Sequence, residues 1–380
     1  MSGILTLNAG SSSIKFGVYS EAAEPELLMV GQIDNLGPAA KLVIKGSETR
    51  DLGHADHASG VRAILDVVEP VLKGAPKGVG HRIVHGGKSY GAPVVLDAGV
   101  MEQLEAFVPL APLHQPHNLA AVRAAQTAFP DAVQVGCFDT AFHKGHPFVN
   151  DTFALPRRFY EEGVRRYGFH GLSYDYIHSV LARDYPDLHA GRVIVAHLGN
   201  GASMCAMDGG CSVGSTMGFS ALDGLPMGTR CGQLDPGVLL YLLEQKGMSA
   251  SEISTMLYTE SGLKGMSENT NDMRVLLASE DPKAAEAIDY YVFRIRREIG
   301  ALAAVLGGLD GIVFCGGVGE NAAPIRERVI QGLGFLGLEI DAAANADSAA
   351  DIGAGAAKIL VIPTDEERVI ARSVARQMGG

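Results

Sequence analysis

The chain has 380 residues and a formal net charge of −12, with 31 Lys and Arg against 43 Asp and Glu. This length is typical of two domains whose cores are large enough to fold without disulfides or structural metals. The acidic balance argues against a general binder of nucleic acids or anionic membranes, since both require a basic surface, but a small anionic substrate held by local arginines remains compatible with it.

Strands and helices are predicted to alternate along the chain, which indicates an α/β fold. Short apolar runs that end in Gly, Asp or His predict buried strands at residues 4–7, 14–19, 79–84, 132–138, 192–197, 203–207, 311–315 and 358–362. Helical periodicity predicts helices at residues 58–72, 115–129, 174–183, 236–246, 249–258, 281–306 and 366–377.

The longest predicted helix carries signals at both ends. Asp281 is expected to cap its N terminus, and Gly307 is expected to end it. One apolar stripe is formed by Ile288, Val292, Ile295, Ile299, Leu302 and Leu306, with Arg294, Arg297 and Glu298 on other faces. Such a stripe is typical of a helix packed on the core, although it could also serve an interface.

Two segments half a chain apart share one pattern. Residues 4–12 and 193–201 each contain a four-residue apolar strand, a polar residue, two further positions that end in Gly, and then small residues. A second strand is predicted after each of them. Such a repeat predicts duplicated domains that face each other across a cleft, with a chance likeness between short hairpins as the alternative.

The cysteines indicate a reducing compartment. Cys137, Cys205, Cys211, Cys231 and Cys315 include no C-x-x-C pair, and we expect them to be reduced core thiols. No apolar run reaches the roughly 20 residues that a membrane-spanning helix requires. Residues 1–19 also lack the regions of a signal peptide, so we expect a soluble, cytoplasmic protein.

Three glycine-containing segments after predicted strands are candidates for phosphate binding: residues 8–13 with Lys15, residues 197–201 and residues 316–321. Small residues in a tight turn leave backbone N–H groups free to surround phosphate oxygens, although the first segment also fits an ordinary hairpin turn. The third also matches G-x-G-x-x-A, with Glu339 and Asp341 about twenty residues on, as in dinucleotide-binding sites. Too little chain follows it to complete that fold.

Several charged residues stand where binding or catalysis is expected. Arg82 and Arg230 lie in glycine-rich segments, and a planar guanidinium binds carboxylate or phosphate through two hydrogen bonds. Asp139 directly follows a predicted strand, and His170 lies in R-R-Y-G-F-H-G. Glu366 also follows a strand, although the helix dipole favours Glu at such a place. Paired histidines raise zinc binding as an alternative, but no H-E-x-x-H or cysteine pair supports it.

Motifs over nearly the whole chain resemble the acetokinase (acetate kinase) family. They are N-A-G-S-S-S-x-K, G-H-R-x-V-H-G-G, A-P-L-H, F-D-T-A-F-H, R-R-Y-G-F-H-G, H-L-G-N-G, T-M-G-F-S, G-L-P-M-G-T-R-C-G, D-M-R and G-G-V-G-E-N, in this order. The resemblance implies two duplicated α/β domains of the sugar-kinase/actin superfamily (ribonuclease H-like), with ATP in the cleft between them. Residues 1–140 with the C-terminal helix 367–380 would form the acetate and phosphate side, and residues 141–366 the nucleotide-binding domain.

The resemblance also implies roles for single residues. Asp139, His170 and Arg230 would be catalytic, Arg82, Val84 and His114 would bind the substrate, and Asn8 and Glu366 would hold Mg²⁺, with Mn²⁺ as an alternative. Lys15 would bind a phosphate of ATP together with Ser11 and Ser12. The other ATP-binding residues would be His197, Leu198, Gly199, Asn200, Gly201, Asp272, Met273, Arg274, Gly317, Val318, Gly319, Glu320 and Asn321. Because acetate is ionised near pH 7 and needs no base, we hypothesise that Asp139 orients Arg82 or a metal-bound water, whereas the resemblance implies an acid–base role.

The implied reaction is reversible transfer of the ATP γ-phosphoryl group to acetate, giving acetyl phosphate and ADP, in a homodimer without nucleic-acid or membrane partners. Val84 would face the substrate methyl group and favour acetate, with a propionate or other short-chain acyl kinase as the alternative. More remote are an NAD-dependent oxidoreductase, based on residues 317–322, and a non-catalytic ATP-binding switch. Asp365, Gln233, Leu172 and Tyr174 depart from the family's usual residues, and Tyr174 stands where His often follows F-H-G.

Overall fold

A computed structural model describes residues 3–10, 13–112 and 114–379 of the chain. The chain forms two compact units, Met1–Phe142 with Asp365–Gly380 and His143–Thr364. Among the described residues, no helix combines the length and the apolar character needed to cross a membrane.

The strands are β1 (Gly3–Ala9), β2 (Ile14–Ser20), β3 (Leu27–Asp34), β4 (Gly37–Ile44), β5 (Thr49–Ala55), β6 (Gly78–Ile83), β7 (Val94–Val95), β8 (Val133–Phe138), β9 (Arg192–Leu198), β10 (Ala202–Asp208), β11 (Cys211–Ser215), β12 (Gly311–Cys315) and β13 (Lys358–Val361). The helices are α1 (His57–Leu72), α2 (Ala98–Glu105), α3 (Gln115–Ala128), α4 (Phe148–Asp151), α5 (Arg157–Glu162), α6 (Gly171–Asp184), α7 (Pro186–His189), α8 (Pro236–Glu244), α9 (Ala250–Thr255), α10 (Gly262–Ser267), α11 (Met273–Leu277), α12 (Pro282–Leu306), α13 (Gly316–Asn321), α14 (Ala323–Ile330), α15 (Ala342–Ala346) and α16 (Glu366–Met378).

Five neighbouring strands of the first sheet, β3-β2-β1-β6-β8, have the same topology as the five strands of the second sheet. The first has the order β5-β4-β3-β2-β1-β6-β8-β7 and the second β11-β10-β9-β12-β13. In the first sheet β1 pairs antiparallel with β2 and parallel with β6, which pairs parallel with β8. In the second sheet β9 pairs antiparallel with β10 and parallel with β12, which pairs parallel with β13. This equivalence confirms the predicted α/β fold with duplicated domains.

In the first unit, helices α1 and α16 both pack on the sheet. The core cluster joins side chains of the sheet, such as Leu7 and Phe16, to Ile64 and Val68 of α1. Helix α16 packs on β1, β6 and β8. A Cβ atom at Gly80 would collide with Ile370 of α16, so the absent side chain lets this helix approach the strand closely. The first residue of α16, Glu366, is thereby fixed beside the parallel strands.

The longest helix confirms the predicted caps. Asp281 accepts a hydrogen bond from the backbone N–H of Lys283, and Gly307 ends α12 in the left-handed conformation at φ 69°. The apolar stripe from Ile288 to Leu302 is buried, as expected of a core helix. Arg294, predicted on a face other than the stripe, is nevertheless buried, and its Nη2 donates to Gln233 Oε1 at 2.8 Å.

Other predictions required correction. Strands β3, β4 and β5 were not predicted, because their exposed, polar positions leave no regular apolar alternation. Helix α6 begins at Gly171 rather than at residue 174, and α9 ends at Thr255, where a single π-helical turn follows it. Cys137, Cys205 and Cys315 are buried, but the expectation of core thiols was wrong for Cys211, which is exposed on β11, and for the half-buried Cys231.

Candidate active site

Four side chains of the first unit meet at the carboxyl end of its parallel strands. Asn8 lies near the end of β1, Arg82 near the end of β6, and Asp139 directly after β8. Because these strands are neighbours in the order β1-β6-β8, their carboxyl ends reach the same edge of the sheet. Glu366 joins them from the start of α16. The sequence-predicted ligands of the metal and of the substrate therefore lie together in this unit.

A continuous hydrogen-bond network joins these four side chains. The Arg82 guanidinium donates from Nε to Asp139 Oδ1 at 3.0 Å and from Nη2 to Asp139 Oδ2 at 2.6 Å. Its Nη1 donates to Asn8 Oδ1 at 3.1 Å, and Asn8 Nδ2 donates to Glu366 Oε2 at 3.4 Å. The two bonds to Asp139 fix the plane of the guanidinium, because a paired fork of donors and a carboxylate tolerate little rotation.

The network keeps Arg82 permanently charged. Burial alone would lower the pKa of Arg82, but the nearby carboxylates of Asp139 and Glu366 outweigh it and raise the pKa of this group above its ordinary value. Asp139 is almost fully buried, whereas the Arg82 side chain keeps 21% of its surface exposed. The exposed part of the guanidinium is thus available to a carboxylate or a phosphate group.

Of three further predicted residues of this unit, Val84 and Lys15 adjoin the network in the sequence or the sheet. Val84 is buried just after β6, and its backbone N–H donates to Asn118 Oδ1 at 2.9 Å. Lys15 is paired with Asn8 across the β1–β2 hairpin. His114 occupies the N-cap of α3. Ser11 and Ser12, predicted to bind phosphate beside Lys15, lie outside the described residues.

In the second unit, His170, His197 and Arg230 converge at the loop after β9. The His170 and His197 rings stack with their centroids 4.5 Å apart. A Cβ atom at Gly201 would lie 2.7 Å from Arg230 Nη2 and 3.1 Å from His170 Nε2. A side chain at Gly201 would therefore clash with both groups, and the glycine allows a cationic and an imidazole nitrogen to face the same loop.

The second and third glycine segments also meet. Strand β9 runs parallel to β12, which places the loop at Leu198–Gly201 beside the start of α13. Gly316 has φ +75°, and a Cβ atom there would lie 2.8 Å from the carbonyl oxygen of Leu198. The segment is held by its own side chains: Glu320 accepts from the Gly316 N–H at 2.9 Å, and Asn321 donates to the Gly317 carbonyl at 2.9 Å. Val318 and Gly319 complete this turn of α13.

The Asp272–Arg274 segment begins α11. Asp272 caps the helix by accepting from the Arg274 N–H at 2.9 Å and forms an ion pair with the Arg274 guanidinium at 2.6 Å. Met273 is buried, so only its backbone can face a ligand. The neighbouring Asn271 donates to Asn200 Oδ1 at 2.8 Å, and this bond ties the segment to the loop after β9.

Sequence reasoning did not identify Asn118, Asn271 or Ser203. Asn118 holds the backbone of Val84, Asn271 holds Asn200, and Ser203 Oγ lies 2.9 Å from His170 Nδ1. Each acts across a gap of 33 to 71 residues. No local motif marks such contacts, and only the position of Ser203 in a predicted strand beside the second glycine segment offered a signal.

The fold and these residues define a class of protein. A guanidinium that can hold a carboxylate lies in one unit, and adjoining glycine turns with an arginine and two histidines lie in a unit of related topology. This combination is typical of a phosphoryl-transferring enzyme of the sugar-kinase/actin-like fold, in which positioning and neutralisation of charge provide most of the catalysis.

Comparison with known proteins identifies the particular family. The sequence profile of the acetokinase family matches residues 3–372. An acetate kinase of Methylocella silvestris is 53% identical over 97% of this chain and 96% of its own length. Crystal structures of a propionate kinase from Francisella tularensis and of Porphyromonas gingivalis acetate kinase are each 36% identical, with TM-scores of 0.93 and 0.89, and cover 99% and 100% of this chain and 100% of their own.

The chain belongs to the acetokinase family. Family membership makes the protein an ATP:acetate phosphotransferase, with ATP as its co-substrate and, as is typical of the family, a divalent metal ion.

Proposed function

We propose that the protein catalyses the reversible, Mg²⁺-dependent transfer of the ATP γ-phosphoryl group to acetate, with the roles divided between its two units. In the first unit, Arg82 binds the acetate carboxylate, Val84 faces the methyl group, and His114 lines the same pocket. In the second unit, Arg230 and His170 contact the phosphoryl group. ATP is held by Lys15 of the first unit and by residues 197–201, 272–274 and 317–321 of the second.

The observation that carries this proposal is the network of Asn8, Arg82, Asp139 and Glu366. It presents the edge of a fixed, permanently charged guanidinium next to amide and carboxylate oxygens. A small carboxylate held by Arg82 would thus lie beside a place suited to a metal-bound phosphate. A structural ion pair would not require the two additional oxygen-bearing side chains at the end of β1 and the start of α16.

The residues of this network fit Mg²⁺. Asn8 and Glu366 offer hard oxygen ligands whose side chains contact each other at 3.4 Å, and Mg²⁺ is usually held by one or two protein oxygens, waters and substrate phosphates. Among the described residues, no group of three His, Cys, Asp or Glu side chains is placed to hold a metal, so the remaining ligands would come from ATP and water. When bound, Mg²⁺, or Mn²⁺ in its place, would neutralise phosphate charge.

The chemistry needs positioned charge rather than a base. An acetate oxygen forms the new bond to the γ-phosphorus while the bond from that phosphorus to the bridging oxygen breaks, and ADP leaves with the electron pair. Because acetate is already ionised near pH 7, no proton has to be removed from it. Asp139 accordingly acts on Arg82, which it holds through the two hydrogen bonds at 3.0 and 2.6 Å.

Acetate is the proposed acceptor, with propionate as the second candidate. Val84 is 4% exposed and its backbone is fixed by Asn118, so the wall that it provides is rigid. The resemblance to a propionate kinase structure favours the alternative. One methylene group is worth only about 1–3 kcal/mol in an apolar pocket, and we expect propionate to react more slowly than acetate.

A hydroxamate assay tests the function directly. Purified protein is incubated with ATP, Mg²⁺, hydroxylamine and acetate, propionate or butyrate, and the hydroxamate formed from the acyl phosphate is measured. Acetate should give the highest kcat/KM. Absence of acyl hydroxamate with all three acids would refute the proposed reaction, and a higher kcat/KM for propionate would establish the alternative. An Arg82→Ala variant, which lacks the acetate ligand, provides the control for non-enzymatic product.

We also propose a homodimer, formed through helix α8. None of the residues of α8 is buried, and Leu240, Tyr241 and Leu243 are exposed large apolar side chains on this one helix; a concentration of exposed apolar side chains is typical of an interface. The predicted alternative, the stripe on α12, is buried in the core of its own unit. Light scattering should show a dimer that Leu240→Glu with Tyr241→Glu converts to a monomer. Phe335→Glu, at another exposed apolar position, should leave it intact.

The proposed compartment is the cytoplasm. Cys205, Cys211 and Cys231 are free thiols, which is typical of a reducing compartment, and the cytoplasm supplies ATP. Fractionation of the native cell, followed by the hydroxamate assay, tests this placement.

A further inference from the structure

His170 is connected to two buried hydroxyl groups that the proposed function does not use. Its Nδ1 lies 2.9 Å from Ser203 Oγ, and Ser203 Oγ lies 2.5 Å from the hydroxyl oxygen of Tyr174. Ser203 and Tyr174 have no exposed surface. A hydrogen-bond chain therefore runs from Tyr174 in the interior of the second unit, through Ser203, to the His170 imidazole, which faces the loop after β9.

Helix α6 and strand β10 fix the positions of the three hydrogen-bonded residues. His170 is the N-cap of α6, and Tyr174 lies one turn further along the same helix, with its backbone N–H donating to the His170 carbonyl at 3.1 Å. Ser203 lies on β10, paired with His197 of β9. The imidazole edge of His143 packs against the Tyr174 ring with centroids 5.4 Å apart. Tyr174 and Ser203 thus approach His170 from two separate elements.

The Tyr174 phenol can supply the first proton of this hydrogen-bond chain. Burial raises the pKa of Tyr174 well above its ordinary value, so the phenol keeps its proton throughout the physiological range. When it donates this proton to Ser203 Oγ, the single hydroxyl proton of Ser203 is left to donate to His170 Nδ1. A neutral imidazole that accepts at Nδ1 carries its own proton on Nε2.

The proton on Nε2 points to the loop that the proposal assigns to the phosphoryl group. The Nε2 atom lies on the side of Gly201, close to Arg230 Nη2, as the contacts of a Cβ atom at Gly201 demonstrate. The ring of His197 stacks on His170 with centroids 4.5 Å apart, and two imidazolium rings at this distance would repel each other, which disfavours a charge on both. A donor is thereby presented beside the Arg230 guanidinium.

We propose that Tyr174 and Ser203 are positioning residues that hold His170 as a neutral imidazole protonated on Nε2, so that it donates a hydrogen bond to the transferred phosphoryl group. The inference rests on the proposed function of His170. It also gives a physical role to Tyr174, at which this chain departs from the His that often follows F-H-G. A phenol with a raised pKa remains a donor over a range of pH in which a histidine would change its charge.

The test uses the full-length protein and the variants Tyr174→Phe and Ser203→Ala. The matched control is Tyr291→Phe: Tyr291 is also buried in the second unit, and within the described part of the chain its hydroxyl has no hydrogen-bond partner. Loss of one neutral hydrogen bond in the transition state should lower kcat roughly fivefold to tenfold for Tyr174→Phe, with the KM for acetate unchanged. Tyr291→Phe should retain the wild-type kcat.

A second readout does not depend on activity. In ¹⁵N-histidine-labelled protein without substrates, the signals of His170 are assigned by their loss in His170→Gln, and two-bond nitrogen–proton correlations report which ring nitrogen carries the proton. The wild type and Tyr291→Phe should give the pattern of the Nε2-protonated form. Tyr174→Phe and Ser203→Ala should give a mixture of both tautomers.

The outcomes separate the two proposals. A wild-type spectrum with the proton on Nδ1, an unchanged spectrum in Tyr174→Phe, or an equal loss of kcat in Tyr291→Phe would overturn the positioning role. Failure of the wild type to form acyl phosphate would refute the proposed function, whereas the tautomer of His170 would still be read from the spectrum. Partial recovery of kcat in Ser203→Thr, which restores the hydroxyl missing from Ser203→Ala, would support the role of that group.

Discussion

Arg82 and Asp139 form a doubly hydrogen-bonded ion pair at the ends of two adjacent parallel strands, with Nε–Oδ1 and Nη2–Oδ2 distances of 3.0 and 2.6 Å. Asp139 is buried, and the guanidinium is its partner on both oxygens. The carboxylate thus occupies one side of the guanidinium and directs the remaining donors to Asn8 and to the surface that a carboxylate substrate would approach. This geometry supports the proposed orienting role of Asp139.

The variant Asp139→Asn should lower kcat about 100-fold and raise the KM for acetate, because the amide nitrogen would face a guanidinium donor and the plane of Arg82 would no longer be fixed. Steady-state kinetics in the hydroxamate assay measure both values. Asp310→Asn is the matched control, since Asp310 makes the same double contact with Arg192 in the second unit, away from the assigned residues. Near-normal kcat in Asp139→Asn would contradict both the orienting and the acid–base role.

Arg230 should contribute mainly to kcat. Its Nη1 donates to the Ala221 carbonyl at 2.8 Å, while Nη2 faces Gly201, so one edge of the guanidinium is anchored and the other is directed to the loop. The variant Arg230→Ala should lower kcat by about 10²–10³ without a comparable change in the KM for acetate, because Arg82 is the proposed ligand of acetate. Arg192→Ala serves as the control for loss of a partly exposed arginine. A kcat equal to that of the wild type would exclude charge stabilisation by Arg230.

The sequence predicted those features that depend on local pattern. Asp281 and Gly307 were identified as the caps of α12 because capping depends on residue type at one position. The likeness of residues 4–12 and 193–201 predicted the duplicated topology, since β1 and β9 begin equivalent sheets. Arg82 and Asp139 were both placed at strand ends, and the parallel order of β6 and β8 explains why they meet.

Features that depend on distant contacts could not be predicted in this way. The buried Arg294 donates a hydrogen bond to Gln233, which lies 61 residues before it in the chain. The link between Tyr174 and Ser203 spans 29 residues and joins a helix to a strand of another part of the unit. In each case, the packing of the helices and strands determines which residues become partners, and no sequence motif contains both residues.

Val84 should control the size of the acyl group. The variant Val84→Ala removes two methyl groups from a buried wall and should raise the ratio of kcat/KM for propionate to that for acetate by roughly tenfold, a change of about 1.4 kcal/mol. Val79→Ala is the matched control, since Val79 is buried near the start of β6, whereas Val84 follows the end of this strand. It should lower stability without changing the ratio. An unchanged ratio in Val84→Ala would remove Val84 from the substrate pocket.

His81 should make the stability of the protein depend on pH. Its side chain is 1% exposed, its Nε2 lies 2.8 Å from Gln134 Oε1, and its Nδ1 has no hydrogen-bond partner among the described residues. Burial lowers the pKa of His81 to about 4, whereas an unfolded histidine titrates near 6.5. The stabilising contribution is therefore complete above the unfolded pKa and is lost as the pH falls, because the unfolded chain then binds the additional proton.

Between pH 7.5 and 5, this one group should lower the free energy of unfolding by about 2 kcal/mol. Urea denaturation at the two pH values measures the difference, and His81→Gln, which keeps an amide beside Gln134 but cannot titrate, should reduce it by that amount. His54→Gln is the control, because His54 is exposed on β5 and its replacement should leave the pH dependence as it is in the wild type. If acidification lowered the free energy of unfolding equally in His81→Gln and in the wild type, His81 would have to be solvated or protonated in the folded protein. That result would contradict its burial on β6 beside Gln134 of β8.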